Sequence, residues 1–160
     1  MNDFLQSIGI PRNMYLLLTI AIYLIISTVL SRFGGWYELA ARYPALGEPA
    51  GGEKFSFRSV TLRKWRFPTN YTGFVTVILI DQGVYLNVAL FFRFQHEPIF
   101  IPWNAIEKVT PGSTLVTQFF TLQVAGIKTG ITISGEPGQK IAQRVTVLDN
   151  YKRRKGKAAR

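Results

Sequence analysis

The chain has no cysteine, a single histidine and few acids: nine Asp and Glu stand against nineteen Lys and Arg in 160 residues. Without cysteine there is no disulfide framework, no thiolate metal or iron–sulfur site and no cysteine nucleophile. The one histidine, His96, has only Glu97 beside it. A metal site or a general base needs converging ligands or an oriented partner, so His96 reads as a loop or core residue. There is no Gly-x-Ser-x-Gly elbow and no phosphate-cradling glycine loop; the Gly34-Gly35 and Gly51-Gly52 pairs read as a hinge and a linker. The expectation is a protein that is not an enzyme, with no catalytic residues, no metal, no cofactor and no small-molecule substrate.

The scarcity of acids leaves a net charge of +10, unevenly placed. Residues 1–52 are neutral overall and residues 53–150 carry +4, while residues 151–160 hold six bases and no acid. Excess positive charge attracts a polyanion: an anionic membrane surface, nucleic acid or an acidic protein.

The apolar run chooses among these. Asn13 to Ser31 contains no charge and no helix breaker. Some 19–20 helical residues cover roughly 30 Å, the thickness of the hydrocarbon core. Arg12 and Arg32 bracket the run and can reach the headgroups. A cleaved signal peptide would have a shorter apolar region followed by a small-x-small site, whereas Leu30-Ser31-Arg32-Phe33 follows here. Residues 1–33 therefore read as a single-pass transmembrane anchor. Trp36, Leu39, Ala40 and Tyr43 then recur at helical spacing. Trp36, Tyr37 and Tyr43 suit a membrane interface, which makes this a juxtamembrane helix lying on the bilayer or, alternatively, a helix packed on the soluble domain. Arg32, Arg42, Lys54 and Arg58 outweigh Arg12, which places the C-terminal domain in the cytoplasm.

Residues 34–52 comprise that helix and a Pro/Gly linker, Pro44 to Gly52. From Glu53 the period changes to two. Strands are expected at Phe55–Leu62, with a bulge near Arg58-Ser59, and at Phe74–Ile80. The Asp81-Gln82-Gly83 turn leads to Val84–Phe91, followed by Ile99–Ile101, Ile106–Thr110, Leu115–Val124 and Gly130–Ser134. After Pro137 the apolar residues Ile141, Val145 and Leu148 mark one face of a helix. Residues 53–150 thus form a mainly-β domain: a seven-stranded antiparallel barrel or sandwich with a C-terminal α-helix. Residues 151–160 read as a disordered basic tail.

Seven strands followed by a helix resemble the pleckstrin-homology-like fold. The chain also resembles small bacterial single-pass membrane proteins with an N-terminal anchor and such a domain. The similarity lies in Gly35-Trp36-Tyr37-Glu38-Leu39-Ala40-Ala41-Arg42-Tyr43-Pro44, in Asp81 to Leu86, and in His96 to Trp103 with its Ile101-Pro102-Trp103. The resemblance implies a binding module for lipid headgroups or peptides. Lipid binders of that fold carry bases on the first two strands and the loop between them. Here Arg63, Lys64 and Arg66 precede that loop, Lys54 and Arg58 lie upstream, and no Lys or Arg follows through Ile80. This implies a basic surface toward headgroups rather than a specific phosphoinositide site.

The candidate contacts with lipid or a partner are therefore Lys54, Arg58, Arg63, Lys64 and Arg66, with Trp65 and Phe67 interleaved, and the tail bases Lys152, Arg153, Arg154, Lys155 and Lys157. Bases mixed with aromatics can also stack nucleic acid, a use that the membrane tether disfavours. An anchor joined to a polybasic patch is a two-signal membrane arrangement. Phe91-Phe92 and Phe119-Phe120 would put one ring on each face of a strand, where an outward ring could mark a protein interface or pack under the C-terminal helix. The expected function is that of an accessory subunit or scaffold of a membrane protein complex, with an anionic-lipid sensor as the alternative.

Overall fold

The structure is a computed structural model describing residues 11–64 and 68–158. It begins with an apolar helix, α1 (Arg12–Gly34), in which Leu16, Leu17, Ile20, Ile22, Ile25, Ile26, Val29 and Phe33 are exposed rather than packed. Its Met14–Gly34 stretch, 21 residues with a mean hydropathy of 2.2, is long and apolar enough to cross a membrane. The core helix of a soluble protein would bury those side chains. Gly35 ends α1 in the left-handed conformation at φ 92°, where a side chain would also meet Thr129 at 2.9 Å. The chain turns there directly into α2 (Trp36–Arg42).

That turn sends Trp36, Leu39 and Ala40 into the hydrophobic core. Of the two placements open to this helix in the sequence, packing on the domain is the one adopted. The segment after it joins the sheet edge: Pro44 bridges Ile99, and the Phe100 N–H donates to the Tyr43 carbonyl at 2.9 Å.

The domain is one antiparallel sheet of seven strands curled into a half-barrel: β1 (Glu53–Arg63), β2 (Thr69–Leu79), β3 (Gly83–Val88), β4 (Ile99–Pro102), β5 (Ile106–Ser113), β6 (Gln118–Val124) and β7 (Gly130–Ser134). Their order is β4-β3-β2-β1-β7-β6-β5, so β1 is the central strand. Its register shifts twice, between Phe55 and Arg58 and between Arg58 and Val60, with Phe57 at φ 54°. This is the bulge expected near Arg58-Ser59, and a bulge bends its strand and increases the local twist. The inner face is built from Val60, Leu62, Val75, Val77, Leu86, Ile101, Leu122, Ile131 and Ile133, all fully buried. Helix α3 (Glu136–Ala158) packs on β5, β6 and β7 through buried Ile141 and half-buried Val145.

Four local expectations are corrected. β3 stops at Val88, and Leu90–Phe92 form a 3-10 turn, so Phe91 and Phe92 lie on no strand. β5 continues through Pro111, which pairs with Phe120. Proline is tolerated there because β5 is an edge strand, where the missing N–H would face away from the ladder. β6 starts at Gln118, because the Thr114 and Thr117 backbones close a turn that leaves Leu115 and Val116 at its tip. Residues 151–158 continue α3 instead of being disordered. Lys and Arg are good helix formers, and cations favour the negative end of a helix.

Gly138 sits in the first turn of α3, where an added Cβ would lie 2.5 Å from the Ile133 carbonyl oxygen and 2.7 Å from Phe120 Cδ2. Gly→Ala inside a helix ordinarily stabilises by up to about 1 kcal/mol. Here overpacking reverses the sign, and Gly138→Ala is expected to destabilise the protein by about 1–3 kcal/mol. Chemical denaturation of the full chain in mild detergent checks this; a stabilised variant would show that α3 stands off the sheet.

Candidate functional site

The groups that join α1 to the domain were not among the candidate residues read from the sequence. Tyr23, Ser27 and Ser31 are spaced four residues apart, which places them along one stripe of the helix and spreads them over about 12 Å. All three hydroxyls donate to carbonyls of the loop that follows β3. Tyr23 donates to Phe91, Ser27 to Phe94 at 2.6 Å, and Ser31 to Gln95. The hydroxyls of Thr19 and Thr28 instead bond back to carbonyls of their own helix, those of Tyr15 and Leu24. Thr19 lies on the same four-residue stripe but bonds within the helix, and the latch's signal in the sequence was the i, i+4, i+8 spacing of hydroxyls within an apolar run.

Behind the latch lies a small buried polar cluster. The Nδ1 of His96 is 2.9 Å from the Phe94 carbonyl, and its Nε2 is 3.1 Å from the Tyr71 hydroxyl. These partners assign a neutral ring that donates from Nδ1 and accepts at Nε2. Trp36 donates its Nε1–H to the Glu97 carbonyl at 2.8 Å. Its ring lies 5.2 Å from that of Tyr71 and 5.7 Å from that of His96. The cluster therefore fastens α2, β2 and the start of the segment leading to β4 at the foot of α1. Burial lowers the pKa of His96 and raises that of Tyr71, so both stay neutral. The arrangement pairs the His96, Tyr71 and Trp36 polar atoms within the protein. Among the described residues no group of three His, Cys, Asp or Glu could hold a metal.

The bases predicted to act together are separated. β1 places Lys54 opposite Ile78 and Arg63 opposite Gly130, at opposite ends of an eleven-residue strand. Lys54 pairs with Glu48 at 2.6 Å. Arg58 sits at the bulge with its guanidinium 5.6 Å from the Phe55 ring centre. Of the described bases in this set, Arg63 and Lys64 lie near the foot of α1. Lys64 pairs there with Glu38 at 3.0 Å, which also receives the Thr129 hydroxyl. Of the residues read as interfacial, Trp36 is fully buried and the Tyr43 hydroxyl donates to the Ala125 carbonyl at 2.8 Å. Arg32 and Tyr37 are exposed, with the Arg32 guanidinium 5.2 Å from the Tyr37 ring centre. Arg66 and the side chains of Arg12, Lys152, Arg153, Arg154, Lys155 and Lys157 lie outside the described residues.

An open groove of about 930 Å³ lies at the other end of the domain, between β1, the β2–β3 turn and α3. Its cations are already engaged. Lys140 pairs with Glu53 and with Glu136, and Arg144 pairs with Asp81 at 3.3 Å and stacks over Trp103. The junction of α1 with the domain is therefore the candidate site. No family model matches the chain, and no curated protein matches it significantly.

His96 gives the junction a pH signature. Its folded pKa lies below the ordinary value of about 6.5, so the unfolded chain binds the extra proton first as pH falls. Its contribution is full above about pH 6.5 and is lost as pH drops toward and through the lowered value. Urea midpoints of the full chain should fall across that window, and His96→Gln should flatten that part of the profile. Parallel profiles for the two proteins would show that His96 titrates as it does in water.

Proposed function

We propose that the chain is a non-enzymatic, single-pass membrane module: α1 crosses the bacterial inner membrane and holds a pleckstrin-homology-like domain against its cytoplasmic face. There the domain acts as an accessory subunit or scaffold of a membrane protein complex. The observation that carries this reading is the latch of Tyr23, Ser27 and Ser31, which makes anchor and domain one body instead of a domain swinging on a leash. A rigid mount suits a part that positions something else.

A surface for such a partner is available. The β5–β6 tip presents Leu115 at 106% and Val116 at 92% relative exposure. It lies beyond the Ser134 end of β7, whereas the Gly130 end adjoins the foot of α1. The tip therefore projects away from the anchor. A partner that covered this tip would bury both apolar side chains. Anionic lipid assists through Arg63 and Lys64, each base near such a surface contributing about 1 kcal/mol. The separation of Lys54 from Arg63 weakens the alternative of a dedicated lipid sensor on that strand.

Native-size analysis of tagged full-length protein, solubilised gently from its own membranes, tests the reading. It is expected to migrate in a stoichiometric larger assembly and to lose that partner in Leu115→Asp/Val116→Asp. A lone small species would sink the subunit reading. The full chain must be used, because α2 supplies Trp36, Leu39 and Ala40 to the core.

A further inference from the structure

The latch fixes where the loop after β3 stands along α1, and this has a consequence for the bilayer. The three hydroxyls that hold the loop belong to residues 23, 27 and 31, within the Met14–Gly34 stretch that is apolar enough to span. Arg32 and Tyr37, stacked together just beyond, provide the first charged and amphipathic side chains on that side. Side chains of these types settle at the headgroup level. The loop therefore lies on the hydrocarbon side of that level.

Its own chemistry agrees. Leu90 is 73% and Phe91 82% exposed, and Phe92 and Phe94 are also exposed. Phe92 packs on Phe74 of β2 with ring centres 4.4 Å apart. These side chains lie alongside α1, whose own apolar side chains are exposed. A stripe of this size facing water is rare in soluble monomers. Much of the loop backbone is also paired. Ala89 N–H donates to Phe74, Phe92 N–H to Ala89, Arg93 N–H to Leu90 and His96 N–H to Arg93, while the helix hydroxyls occupy the carbonyls of Phe91, Phe94 and Gln95. Irregular backbone at membrane depth is tolerated where it is paired or packed on protein, and these bonds tie the loop to α1 and to β2. Arg93, the one charged residue between the rings, is exposed and has a stem long enough to reach the headgroups.

We infer that the Leu90–Phe94 loop is a second membrane-contacting element, buried in lipid hydrocarbon beside α1, so that the domain is partly embedded in the bilayer and not merely suspended below it. The inference rests on the reading of α1 as a membrane span. Its occupant is lipid acyl chain, because the loop lies alongside the lipid-facing surface of the anchor.

The absence of native cysteine makes the test direct. Single variants Phe91→Cys, Leu90→Cys, Ile25→Cys and Leu115→Cys of the full chain carry an environment-sensitive fluorophore. They are reconstituted in phosphatidylcholine–phosphatidylglycerol vesicles with and without doxyl-labelled lipid. All four positions are exposed in the structure, so the label needs no repacking. Labels at Phe91 and Leu90 should show blue-shifted emission and doxyl quenching comparable to Ile25, while Leu115 stays unquenched. If Ile25 is quenched and both loop positions are not, the loop inference fails, the anchor stands, and the loop is open to a protein partner. If Ile25 too is unquenched, the membrane-span reading itself fails and the loop inference falls with it.

Discussion

An apolar helix that carries hydroxyls must find acceptors for them, and how it does so decides the rest of this structure. Thr19 and Thr28 use their own helix. Tyr23, Ser27 and Ser31 reach out to a loop of the β-domain. A polar group left unpaired in an apolar medium costs several kcal/mol, so in a bilayer these bonds would be far harder to break than in water. The same bonds satisfy carbonyls that an irregular loop would otherwise leave open. Helix α1 and the domain thus each supply what the other lacks.

The local geometry around the latch follows from this pairing. Gly35, in the left-handed conformation, reverses the chain within one residue. Trp36 can then enter the core one step after the helix ends, donate to the Glu97 carbonyl and pack on Tyr71 and His96. Tyr71 comes from β2 and His96 from the far side of the loop, so one indole and one imidazole lock the sheet, α2 and the loop together. The lone histidine is here a buried hydrogen-bond hub whose pKa burial lowers. The central strand β1, bent by its bulge, curls the sheet around this core and separates Lys54 from Arg63.

Much of the architecture was legible in the sequence because it rests on periodicity. The uncharged run gave α1, the two-residue alternation gave the strands, and the bulge of β1 was visible as a phase change between Phe57 and Val60. The final strand, Gly130–Ser134, has the bounds expected from the sequence. What was not legible depends on contacts between distant residues. Trp36 has the same amphipathic character at a membrane surface and in a core, and only the fold chose between them. The basic cluster on β1 looked continuous because neighbours in sequence were treated as neighbours in space, whereas a strand spreads them along its length. Pro111 suggested an end to β5 because its edge position could not be known. Phe91 and Phe92 fitted a strand by composition, but their loop is shaped by hydroxyls some seventy residues earlier.

The central claim is that anchor and domain are one rigid body, and a distance distribution tests it most directly. Spin labels at Ile22→Cys on α1 and Leu115→Cys on the β5–β6 tip, measured by pulsed electron paramagnetic resonance on the reconstituted full chain, should give a single narrow distance. That distance should broaden when Ser27 and Ser31 are both changed to valine. A broad distribution in the otherwise unaltered chain, unchanged by those substitutions, would mean that the domain swings freely on its anchor and that the latch does not hold.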